Sequence, residues 1–448
     1  MRSLGALAII ALFGLVLANA ESFANDIGAR VEKVRHERQL NQFLLRPGQC
    51  GVAPTVVVYG RTKPDLETLQ GWPIARFDED QAEFIPAKKF SCMSKVRGLP
   101  GNLIVYDDGR LGDMSEFSNI NQINGHLMFK GASSKSGSGL KDLDGFKGLR
   151  VITGALNILD MEDLESLEGL GRLTSIGRDL VMWNTRNIKD MSGLNQIGRI
   201  GQTLYLDNNR GLKSLAGMER LEQIGFDLFV KGNGQLKDFA PLKNLQKVFG
   251  NIIIEGNNAL TTLEHLKNII EIGIGIDITG NKVLKDLTGF EGLTAVTAGV
   301  VIMDNPALES LDGLENVEEI GLNLIVAQNE AIKDLRGLKS CTKVGGLISI
   351  SDNQSLPSMK GMKKIKEVGE DVIILRNPRI TTLGDLSIAN VGTNLGGNVV
   401  IENNPRLKTL GWWPKKLKEI RGGVRIVNNS ASMDEDDVED ITSKATES

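Results

Sequence analysis

The chain holds few residues able to make or break a bond. Its histidines are His36, His126 and His265, and its cysteines are Cys50, Cys92 and Cys341. No two histidines share a zinc-ligand spacing, and no cysteine joins them. A phosphate-binding loop and a Gly-x-Ser-x-Gly elbow are both missing, and Gly137-Ser138-Gly139 reads as a linker. Enzymes that hydrolyse glycans need carboxylates close enough to act as a pair. Here Asp207 and Glu255 are separated by Lys231, and Asp277 falls on another register. The expectation is therefore no catalytic residue, no metal and no cofactor. A polysaccharide-active β-helix enzyme is the alternative from a different class.

The strongest pattern is a column of asparagines. Asn209, Asn233, Asn257, Asn281, Asn305, Asn329, Asn353 and Asn377 each follow the last by 24 residues. A fixed period of this size means a solenoid of stacked supersecondary units. In one unit Leu204 and Leu206 alternate as in a short strand, and Asn209 follows. Leu212, Leu215, Met218, Leu221 and Ile224 then recur every third residue. A step of three suits short segments joined by corners better than an amphipathic helix. An inward Asn at a buried corner carries donors and an acceptor for the backbone there, so the column reads as a structural ladder. Gly177, Gly201, Gly225, Gly273, Gly321, Gly345 and Gly369 near the coil ends are expected to supply a positive φ.

A longer period lies inside the first. Asp142, Asp190, Asp238, Asp286 and Asp334 repeat every 48 residues, alternating with Ser166, Ser214, Thr262, Ser310 and Ser358. Alternation keeps like charges roughly 10 Å apart instead of about 5 Å, and suggests duplication of a two-coil unit. Cation binding along the Asp column is the other reading.

The string Ile-Gly-x-x-Leu-x-Ile-x-x-Asn with a following Leu-x-x-Leu-x-Gly-Leu resembles the receptor L-domain family. Asp304-Asn305-Pro306-Ala307-Leu308, Arg376-Asn377-Pro378 and Asn403-Asn404-Pro405-Arg406-Leu407 carry the likeness, which covers about residues 101–430. Such domains form ligand-binding ends of insulin- and epidermal-growth-factor-type receptors and recur in fungal cell-wall proteins. The resemblance implies a right-handed parallel β-helix outside the cell. The expected fold is all-β, a solenoid of about thirteen coils of 24 residues with a helical N-terminal cap.

Residues 1–20 read as a signal peptide, with Arg2, an apolar run and Ala18-Asn19-Ala20. The run is short for a spanning helix, so membrane attachment requires an uncleaved leader. Residues 21–100 read as a cap, with an amphipathic helix over 24–45, a strand at Thr55–Tyr59 and a disulfide between Cys50 and Cys92. Cys341 occupies a core column and reads as a buried free thiol. Of two glycosylation sequons, Asn353 belongs to the inward ladder, which leaves Asn428 as the candidate acceptor. Residues 431–448 are rich in carboxylates and read as a disordered tail.

The formal net charge of −4 carries no bulk signal for nucleic acid. A basic run, Lys360, Lys363, Lys364 and Lys366, then Lys415, Lys416, Lys418 and Arg421, could meet acidic glycans or membrane surfaces. The second position of each first strand points away from the core. It holds Val181, Tyr205, Phe229, Ile253, Val301, Ile325 and Ile373, interrupted by Asp277 and Ser349, with Trp183 and Met303 nearby. A contiguous apolar face marks an interaction site. Expected partners are a protein or glycan, or a second copy of the chain. The expected role is secreted or cell-surface recognition, with a wall or matrix scaffold as the first alternative.

Overall fold

A computed structural model describes residues 53–61, 63–64, 82–112, 114–132, 139–393 and 397–445. The chain winds into a parallel β solenoid of about 14 turns. One long sheet of 16 strands runs the length of the stack, from Ala82–Pro86 through Thr55–Tyr59 and Asn102–Asp107 to Val424–Val427. Two-residue strands on another side form an 8-stranded sheet and then a 6-stranded one. The helix expected over 24–45, the leader and Cys50 lie outside the described residues.

One coil shows why the sequence folds this way. Strand Leu204–Asp207 turns Leu204 and Leu206 inward, and both are fully buried. Asn208 then adopts a left-handed φ of 55° and swings the chain round a corner. Leu212, Leu215, Met218, Leu221 and Ile224 follow, each with no exposed surface. A fully buried Leu contributes about 2 kcal/mol, set against the cost of ordering the backbone. Each coil lies in register on the next, Leu204 against Leu228 and Tyr205 against Phe229.

The asparagines tie the stack together. Asn233 Oδ1 accepts from Asn209 N at 3.0 Å, while Asn233 Nδ2 donates to Leu206 O at 2.9 Å. The same pair of bonds recurs through Asn257, Asn281, Asn305, Asn329, Asn353 and Asn377. It continues to Asn404 and Asn429 beyond the strict period. At the other end Thr185 replaces Asn, donating its backbone N–H and its hydroxyl to Asn209 Oδ1. Along the ladder each backbone N–H therefore finds its acceptor one coil further on, and each amide donates back to the coil before.

The coil-end glycines work differently from the expectation. None of Gly177, Gly201, Gly225, Gly273, Gly321, Gly345 or Gly369 has a positive φ. Their requirement is closeness: a Cβ on Gly201 would lie 1.9 Å from Gly177 O, and one on Gly321 1.9 Å from Thr297 O. Consecutive coils touch backbone to backbone there. The left-handed corners instead fall just before the ladder, on Asp160, Asn184, Asn208, Gly232, Gly256, Gly280, Asp304, Gln328, Asp352, Arg376, Asn403 and Asn428.

Local structure flanks the regular coils on both sides. Near the start, the 3-10 helix Ala87–Lys95 buries Phe90 and Met93. Phe90 meets Phe117 edge to face at 5.2 Å, and Phe129 meets Phe146 edge to face at 5.0 Å. At the far end the acidic stretch read as a disordered tail is ordered. Glu435–Thr442 is an α-helix, and the Asp434 side chain caps it by accepting from Asp436 N. The carboxylates of its first turn suit the helix dipole. Asp437 turns inward to accept from Leu410 N at 2.7 Å, and Ile441 is fully buried. Charge alone favours solvation; the open core end gives this segment something to cover. Trp413 joins it, fully buried, with its indole N–H donated to Ile388 O at 3.1 Å.

Candidate interaction surface

Strand alternation places the second and fourth residues of each long-sheet strand on the outward face. At its centre Tyr205 and Phe229 are in register, and their rings stack with centroids 4.5 Å apart and 4° between planes. Both rings are half-buried. The Tyr205 hydroxyl donates to Asp207 Oδ2 at 3.0 Å. Burial, and then the Asp207 carboxylate, push the Tyr205 phenol well above its usual range. Lys231 pairs with Glu255 at 2.8 Å on the next coils, and the Thr279 hydroxyl donates to Asp277. Burial raises the carboxyls of both Asp207 and Asp277 above the usual range. Trp183 and Ile253 flank the ring stack and are half-buried too.

The apolar face is narrower than its residue types suggest. Val181 is 3 % exposed, Val301 7 % and Ile325 4 %, so none of the three can anchor a partner. These short β-branched side chains sit flush between in-register neighbours. Val181 packs with Val57, Ile104, Met128 and Leu159 in a buried outward-side cluster, with Trp183 and Tyr205 against it. The accessible part is the stretch from Trp183 through Tyr205 and Phe229 to Ile253, with Ile373 standing apart.

Two polar residues on this side escape detection by residue type. Asn157 lies in register between Met128 and Val181 and is fully buried. Neither its amide N nor its O has a hydrogen-bond partner. The sequence signal is weak, because the same mostly apolar column also holds Asp277, Ser349 and Arg425. His126 begins its coil, and its Nδ1 accepts from Ala155 N at 3.0 Å. Burial, and then the nearby Arg178 charge, lower its pKa from 6.5 to about 4. The imidazole is a neutral acceptor, doing what Asp179, Asp227, Asn323 and Asp371 do for Thr203, Asn251, Leu347 and Asn398.

The alternating Asp column has a local use. Asp142, Asp190, Asp238, Asp286 and Asp334 each accept from the backbone N–H two residues on. Ser166, Ser214, Thr262, Ser310 and Ser358 do the same in the intervening coils. Either residue type closes the turn. Among the described residues no group of three His, Cys, Asp or Glu could hold a metal ion.

Cys341 is buried among apolar side chains, which pushes its thiol up to about 11. Cys92 sits half-buried on the 3-10 helix Ala87–Lys95. Asn353 is fully buried with its amide committed to the ladder, whereas Asn428 is exposed at the end of Val424–Val427. Among the described residues no helix is long and apolar enough to cross a membrane. No family model matches this chain, and no curated protein does.

Proposed function

We propose that the chain is a secreted or cell-surface recognition solenoid of the receptor L-domain type, holding a protein or glycan partner by non-covalent contact. The observation that carries this reading is the Tyr205–Phe229 stack. Two large rings stand half-exposed on a rigid sheet, with Trp183 and Ile253 beside them. Aromatic side chains on a pre-organised surface lose little entropy on binding and dominate interface energetics. The polar groups beside them, Asp207, Lys231, Glu255 and Thr279, supply orientation. A cleaved leader over residues 1–20, a Cys50–Cys92 disulfide and a glycan on Asn428 belong to the same proposal, because all three need the secretory route.

The test uses the tagged mature chain, captured from its own cells beside the variant Tyr205→Asp plus Phe229→Asp. The proposal expects one enriched partner that the variant loses, or a self-association that sedimentation shows the variant to lack. A variant that keeps both the partner and the oligomeric state removes this face from the account. Recovery of bulk wall glycan alone, equally by both chains, supports the scaffold reading in its place.

A further inference from the structure

Several cations on this solenoid are matched by acids one coil away. Lys141 meets Glu165 at 3.3 Å, Lys247 meets Glu271 at 2.8 Å and Lys343 meets Glu319 at 3.2 Å. Near the end of the stack Arg376 still meets Asp352 and Arg425 meets Glu402, but a cluster of lysines has no such match. Lys363, Lys364, Lys366, Lys415, Lys416 and Lys418 are all exposed. Among the described residues none of the six pairs with a carboxylate. Lys416 Nζ meets only Ser387 Oγ at 3.1 Å, Lys366 Nζ only Lys363 O at 3.4 Å, and Lys415 lies 5.0 Å from the Trp412 ring centre.

Backbone pairing orders these lysines. Lys366 O accepts from Ala389 N, and Ala389 O accepts from Lys418 N, both at 2.7 Å. Lys366 and Lys418 thus stand on the coils either side of Ala389, about 10 Å apart by strand spacing. The residues three steps earlier, Lys363 and Lys415, extend the two rows. The coil between them carries the half-buried Ala389, with Ser387 buried beneath Lys416 and Asn390 in register between Glu367 and Glu419. Two lysine rows therefore border a floor of small side chains at Ser387 and Ala389. The acids nearby are Glu367, Asp385 and Glu419, and Glu419 faces Arg421 at 3.5 Å.

We propose that this strip binds a linear anionic polysaccharide bearing sulfate or carboxylate groups, lying along the floor between the lysine rows. It rests on the extracellular reading above and names a second surface, separate from the Tyr205–Phe229 face. The chain's net charge of −4 opposes general attraction to a polyanion, so retention on one reports the local strip. Exposed charges are screened beyond about 8 Å at 0.15 M salt, so binding weakens as salt rises.

The test is retention of residues 21–448 on immobilised heparin in a salt gradient. Wild type is expected to be held at about 0.15 M salt. Lys363→Gln, Lys364→Gln and Lys366→Gln together should elute earlier, and adding the same change at 415, 416 and 418 should abolish retention. A charge-matched control removes Lys141, Lys247 and Lys333, each paired with a glutamate; it should elute with wild type. Flow-through of wild type, or equal loss in the control, overturns the proposal. Equal displacement by a single-stranded RNA of matched charge overturns the assignment to a polysaccharide. Retention that holds while capture through Tyr205 and Phe229 fails would remove only the outer-face reading.

Discussion

At the scale of the residue, burial decides what each polar group does. Asn281 Oδ1 accepts from Asn257 N at 3.0 Å, and its Nδ2 donates to Ile254 O at 2.8 Å. Asn281→Ala strands both backbone groups in a dry core, and should cost about 3 kcal/mol in urea unfolding. The ladder is visible in the sequence because a buried corner tolerates almost nothing else. His126 is not visible in this way, since its role depends on meeting Ala155 N 29 residues on, out of step with the 24-residue period. Its depressed pKa favours the neutral form in the fold. That stability is present above about pH 6.5 and is lost as pH falls towards about 4. The gap corresponds to about 3 kcal/mol. His126→Asn keeps an acceptor like that of Asn323 and should flatten thermal stability across this window; an unchanged acid slope would place the titration elsewhere. Asn157 runs the other way. Its amide is buried without a partner, so Asn157→Leu should raise stability by about 1 kcal/mol or more, and a loss would mean that the amide is paired in solution.

At the scale of the element, the coil is a device for bringing backbones into contact. Glycine is needed where coils touch, and the period reveals the residue without revealing the reason. Two substitutions separate the reasons. Gly321 has no positive φ, and a Cβ there would lie 1.9 Å from Thr297 O. Gly321→Ala should cost about 3 kcal/mol or more. Gly280 has a φ of 71°, with nothing nearer than 3.6 Å to an added Cβ. Equivalent corners carry Asp, Asn, Gln or Arg, so Gly280→Asn should change the urea midpoint by less than about 0.5 kcal/mol equivalent. Equal effects of the two would contradict the distinction between contact and φ. The 48-residue alternation is clear in the sequence; its use, one turn closed by either Asp or a hydroxyl, needs the hydrogen bonds.

At the scale of the whole molecule, a stack of coils is stable only if its ends are covered. Period and residue type suffice for the solenoid and its core columns, because the coils from Leu156 to Val372 all keep the same spacing. They miss the C-terminal helix, whose burial depends on Asp437 and Ile441 meeting the last coils out of register with the repeat. Removing residues 431–448 should therefore loosen the coils after Val372 while leaving those before Ile276 protected. Hydrogen exchange reads this directly, and uniform protection would mean that the helix caps nothing. The outward face is legible as a stripe of apolar types, yet which members are accessible follows only from packing, which hides Val181, Val301 and Ile325 and leaves Tyr205 and Phe229 in reach.

The most direct measurement places a photo-crosslinking phenylalanine analogue at Phe229 and, separately, at Phe249, which is 40 % exposed beside a short strand. Both chains are illuminated in their own cells. Recognition through the long sheet predicts a discrete adduct from position 229 and none from 249. No adduct from 229, or the same adducts from both, would contradict it.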